Sequence, residues 1–208
     1  MSTTLSFPLI GIAIDRSIRP ARYTLLALLM ALVILVSGFA CNVQTWVNNV
    51  NTILQEVGPA VQIVVSVLPL LGTSVPPTVT SAVNTWAPKL QSDVTQLGSL
   101  IQQLQGDLAT NPTTQAKINA LIATTQQDVL SILPVFQVLD PSSQAKVVAA
   151  VNIISAAITS VENIVNNVEG KVTFKATNNK MIKNGSDFKK QFNATLQQNF
   201  GPAAPKLN

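Results

Sequence analysis

The sequence predicts an all-α protein: an antiparallel four-helix bundle with a small basic C-terminal extension. Three observations predict it. Apolar residues recur at alternating spacings of four and three along four segments, which places one apolar stripe on each of four helices. Breaks rich in proline and glycine separate those segments. Hydrophobic residues make up 47% of the 208 positions, enough for a real core. Four such stripes need one another for burial.

The first stripe runs from Val43 through Val47, Val50, Leu54, Val57, Val61, Val64 and Leu68 to Leu71, and the second from Val83 through Leu90, Val94, Leu97, Ile101 and Leu104 to Leu108. Ile118, Ile122, Val129, Ile132, Phe136 and Leu139 form the third. Val147, Val151, Ile154, Ile158, Val161, Val165 and Val168 form the fourth. Gly72, Pro76 and Pro77 divide the first from the second. Asn111-Pro112 and Asp140-Pro141 then pair an N-cap side chain with a proline at the first helical position, where the missing N–H does no harm. Pro59, Pro69, Pro88 and Pro134 predict bends or short breaks. Two internal matches suggest duplicated helices. "VQTWVNNVNTILQEVGPAVQ" from Val43 matches "VNTWAPKLQSDVTQLGSLIQ" from Val83 at a shift of forty, and "NPTTQAKI" matches "DPSSQAKV". Neither match continues through the chain, which favours a bundle over a solenoid.

After Gly170 the pattern changes. Val172 and Phe174 alternate as in a strand, Asn184-Gly185 is turn chemistry, and Ser186 is placed to cap a short amphipathic helix carrying Phe188, Phe192, Leu196 and Phe200. That stripe either docks on the bundle, the plainer reading, or touches an anionic membrane with Phe188, Phe192, Lys189 and Lys190. "GPAAPKLN" reads as a frayed terminus.

The first forty residues read as an export signal. Arg16, Arg19 and Arg22 precede an apolar run, Thr24 to Val36, and Gly38-Phe39-Ala40 is a small-x-small cleavage site. From Thr24 to Ala40 the run would span about 26 Å as a helix, short of a hydrocarbon layer of about 30 Å. Cleavage there leaves Cys41, the only cysteine, as the first residue. This segment resembles a bacterial lipoprotein precursor, whose signal ends in Leu, then Ala or Ser, then Gly or Ala, then a cysteine that receives a diacylglycerol group. Ala40 and Cys41 fit that pattern; Gly38 and Phe39 depart from it. The resemblance implies lipid attachment at Cys41, with ordinary cleavage or a retained signal anchor as alternatives.

Composition narrows the chemistry. Charged residues are only 11% of the chain, and histidine is absent, which removes the usual general base and most zinc sites. A single cysteine forms no intramolecular disulfide and no thiolate cluster. The acidic residues are scattered and suggest no close pair. Ser143 and Lys146 fit an S-x-x-K pattern, but the companion elements of serine-lysine enzymes are missing, and Thr114 and Lys117 repeat the arrangement. Trp46 and Trp86, at matching points of the duplicated segments, are candidates to line the mouth of an apolar pocket, although a tryptophan on a helical stripe is more often core. All three arginines precede the apolar run, so the lysines of the tail face no base-reading partner and nucleic-acid binding is not expected. Asn184-Gly185-Ser186 and Asn193-Ala194-Thr195 are glycosylation sequons in form.

The chain thus reads as a signal peptide over 1–40, a helical bundle over 41–170 and a basic tail with a short amphipathic helix over 171–208. The function expected is that of an exported, lipid-anchored protein of the cell envelope, on its periplasmic or surface side. It would have a structural or binding role without catalysis, metal or cofactor. Its partners would be the membrane, through the lipid or signal anchor, and either a second copy or another envelope protein. The alternatives are a carrier of an apolar small molecule between helices and a self-assembling surface protein.

Overall fold

The computed structural model describes residues 45–72, 75–106, 112–167 and 181–208. These belong to one unit, Cys41–Asn208. Cys41, Asn111 and the strand-like residues Val172 and Phe174 lie outside the described residues.

The described residues form five α-helices and no strand. They are α1 (45–67), α2 (Pro77–Gly106), α3 (Pro112–Ser131), α4 (Pro141–Asn167) and α5 (Gly185–Phe200). Short 3₁₀ turns, Leu68–Leu71 and Leu133–Val138, follow α1 and α3. Two contacts give the course of the first hairpin: Gln91 Nε2 donates to the Gly58 carbonyl at 3.3 Å, while Gly98 lies against Leu54. Advancing along α1 means retreating along α2, so the pair is antiparallel. Beyond it α2 packs on α3, α3 on α4 and α4 on α5. The helix α5 then returns to α1, where the Gly185 N–H donates to Thr52 Oγ1 at 3.1 Å and Lys189 pairs with Glu56 at 3.0 Å.

The stripes form the core. Every predicted stripe residue from Val47 to Leu68, and every described one in the other three series, is buried; Leu71 is half-buried. Side chains between the predicted positions, among them Ile53, Ala60 and Val67, are also buried, so α1 is enclosed over more than a narrow seam. Two helical segments, Thr45–Leu71 and Pro141–Asn166, are long and apolar enough to cross a membrane by length and composition, with 44% of each apolar window buried in the bundle.

Pro59 and Pro88 stand inside unbroken helices, so of the bends or breaks expected at the prolines no break occurs at these two. Pro69 and Pro134 enter the first positions of the 3₁₀ turns, where no N–H is needed. Asp140 caps α4 as expected, its Oδ1 accepting from the Ser142 and Ser143 N–H groups at 3.1 and 3.0 Å.

The C-terminal extension is a full member of the bundle. Ile182, Phe188, Phe192 and Leu196 are wholly buried, and the rings of Phe188 and Phe192 stack with centroids 5.6 Å apart. The cap of α5 is Asn184 rather than Ser186: its Oδ1 accepts from the Asp187 N–H at 3.0 Å. Gly201, at φ 82°, ends the helix in a conformation that disfavours any residue with a Cβ. "GPAAPKLN" is not frayed. Asn193 pairs with both backbone groups of Leu207, at 3.0 and 2.8 Å, Lys189 donates to the Asn208 carbonyl, and Ala204 and Leu207 are buried. Both sequon asparagines are therefore committed to backbone contacts.

Candidate functional site

The membrane-contact reading of α5 needs Phe188 and Phe192 on the surface, and they are in the core. Lys189 is held by Glu56 and the chain end, which leaves Lys190 as the exposed cation of that group. The apolar half of the expected contact is spent on packing, so this helix offers no apolar face to a bilayer.

The tryptophans are also separated. The antiparallel course of α1 and α2 sets Trp46 and Trp86 about 25 Å apart along the hairpin at ~1.5 Å per residue. One pocket mouth cannot hold both. Trp46 is buried at 8% exposure, and its indole N–H has no partner among the described residues. Trp86, buried at 5%, donates from Nε1 to the Asp128 carbonyl at 2.7 Å.

Clefts among the described residues include two of note. One, of about 600 Å³, lies between α1 and α2. Its twelve lining residues are six pairs forty positions apart: Asn51 and Gln91, Leu54 and Val94, Gln55 and Thr95, Gly58 and Gly98, Pro59 and Ser99, Gln62 and Gln102. The two matching segments thus meet across an approximate twofold axis. No lining side chain carries a charge. The other cleft, of about 460 Å³, lies over Trp86, with Ala82, Ile132 and Val135 as apolar wall and Lys89 at the rim.

Beneath that rim the structure brings together groups that sequence reasoning kept apart. Lys89 Nζ lies 2.6 Å from Asp128 Oδ1, and Asp93, one turn along α2 from Lys89, neighbours the same carboxyl group. Asp93 and Asp128 are nine-tenths buried. Burial pushes the Asp93 carboxyl up to about 6, with the Asp128 hydrogen bond and charge adding to it and Lys89 opposing. Burial pushes Asp128 up as well, but the hydrogen bonds from Lys89 and Asp93 and the lysine charge outweigh it and hold Asp128 below its ordinary value. The hydrogen bond to Asp128 raises Lys89. The expectation of scattered acids fails here because helix packing joins residues remote in sequence. The spacing Trp86, Lys89, Asp93, all on one side of α2 at intervals of three and four, was the available signal.

Chemically the pair is enclosed rather than presented to a ligand. Neither Asp93 nor Asp128 lines either cleft. Ser143, the serine of the S-x-x-K pattern singled out above, is buried, its N–H donates to Asp140 Oδ1 at 3.0 Å, and the Ser143 hydroxyl and N–H hold that carboxyl below the usual range. That is a helix cap rather than an activated nucleophile. Among the described residues no three histidine, cysteine or acidic side chains are placed to hold a metal ion. Comparison with protein-family models, with curated proteins and with solved structures finds no match.

Proposed function

We propose that the chain is an exported helical protein held at a membrane of the cell envelope through Cys41, with a structural or binding role there and no catalysis. The observation that carries this reading is the position of the cysteine. The apolar run from Thr24 ends on it, and the described part of α1 opens four positions later at Thr45, with Trp46 buried. Four residues reach at most about 14 Å, so a lipid on Cys41 would tether the bundle at the N-terminal end of α1 with little slack. A diacyl group suits that task, since a single acyl chain binds membranes only marginally. The uncharged cleft between α1 and α2 supports a binding role.

Fractionation of a bacterial host expressing the wild type and Cys41→Ala tests the tether. The wild type is expected in the membrane fraction, released by detergent but not by high salt, and the variant in the soluble fraction. Equal membrane retention of both would sink attachment through Cys41.

A second reading, carriage of an apolar molecule, draws on the Trp86 cleft: apolar walls, one cation at the rim and a volume at the lower end of small-ligand sites. Saturable quenching of tryptophan fluorescence by a long-chain carboxylate, lost in Trp86→Phe, would favour it. No quenching would count against it.

A further inference from the structure

The interface of α2 and α3 buries two carboxyl groups with one lysine between them and water. Oδ2 of Asp93 and Oδ2 of Asp128 are fully enclosed and find no donor among the described residues. Ionised carboxylates only accept, so two of them facing each other repel and leave both of these oxygens unsatisfied. One proton changes that, because the protonated carboxyl donates to its neighbour. Charge points the same way. The charged groups acting on Asp93 are Lys89 from its own helix and Asp128 from α3, and those acting on Asp128 include the same lysine. One lysine neutralises one carboxylate, so the site is balanced when the pair holds a single proton.

We propose that Asp93, Asp128 and Lys89 form a proton-operated latch between α2 and α3. With the shared proton in place, Asp93 donates to Asp128, Lys89 closes the other side of that carboxyl group, and Trp86 holds the Asp128 carbonyl, so four groups fasten α3 to α2. Without it, two buried negative charges face one exposed lysine and the interface loosens, beginning at Trp86 and its cleft. The proton is shed to solvent and no other bond is made or broken.

The folded chain binds this proton more tightly than the unfolded one, since Asp93 rises from 3.8 to about 6. Its stabilising effect is therefore complete below about pH 4 and is lost as the pH rises through about 6. Asp128 and Asp140 shift downward and act only near and below pH 4, which leaves pH 5 to 7.5 as a window for Asp93.

The test is urea unfolding of the full chain in detergent, followed by tryptophan fluorescence, at pH 5 and pH 7.5. For the wild type the unfolding equilibrium constant is expected to be about tenfold larger at pH 7.5. Asp93→Asn, a permanent neutral donor, should remove that difference and match the wild type at pH 5. Lys89→Gln should move the midpoint of the pH dependence upward, which mere loss of packing would not do. Equal wild-type stability at the two pH values, or an unchanged dependence in folded Asp93→Asn, would overturn the latch. Should the variants not fold, carboxyl-carbon NMR of the wild type decides: titration of Asp93 near pH 6 supports the latch and titration near pH 4 refutes it.

Discussion

At Gly185 a single hydrogen atom decides whether α5 can reach α1. A Cβ at this position would stand 2.8 Å from the Thr52 carbonyl carbon, inside any real contact, and the neighbour is helical backbone that cannot step aside. Gly185→Ala should therefore destabilise the chain by about 1–3 kcal/mol, read as a drop in urea midpoint. Gly58 gives the contrast. It lies in the middle of α1, and a methyl group added there would meet nothing within 4 Å, so Gly58→Ala should stabilise by about 0.5–1 kcal/mol through helix propensity. The same sign for both substitutions would contradict the packing described here. Sequence showed both glycines but not the difference between them, because close approach depends on a residue 133 positions away.

Among the elements, α5 shows how far periodicity reaches. The spacing of Phe188, Phe192 and Leu196 disclosed an apolar face, yet it did not say whether bundle or membrane covered it. The answer depended on Thr52, Glu56 and Ser160, none of which is marked by any pattern. Ser160 in particular is a buried hydroxyl on α4 that accepts the Ile182 N–H at 3.2 Å and fixes the entry of the segment. Phe192→Ala should cost about 3–5 kcal/mol, since its cavity opens in the shared core; a loss under 1 kcal/mol would mean that α5 is only loosely applied. The fold-back after Gly201 was invisible because "GPAAPKLN" has no period, and its anchor, Asn193, looked like a sequon. Asn193→Ala should remove two hydrogen bonds, about 1–2 kcal/mol, and expose the terminus to carboxypeptidase while the five helices remain protected. Digestion at the wild-type rate would contradict the anchor.

For the whole molecule, the all-α class and the membership of four helices were legible because burial of a stripe imposes its own period. The latch was not, because a carboxyl pair on two helices leaves no period in either. The charge arrangement also fixes how the molecule meets acid. Hydrogen bonds and the Lys89 charge hold Asp128 below its ordinary value, and Ser143 does so for Asp140. Their stabilisation is present above about pH 4 and disappears as the pH falls further. Stability should therefore peak near pH 4 to 5, between the loss of these carboxylates and the loss of the Asp93 proton. A thermal midpoint that rises steadily from pH 5 to pH 8 would contradict this shape.

The tether is the claim on which the proposed function rests, and intact-mass analysis of the N-terminal peptide from membrane-bound protein tests it most directly. A chain that begins at Cys41 and carries the added mass of a diacylglycerol group is the result the proposal predicts. A chain that begins at Cys41 with a free thiol, or one that retains the Thr24 to Ala40 run, would contradict it.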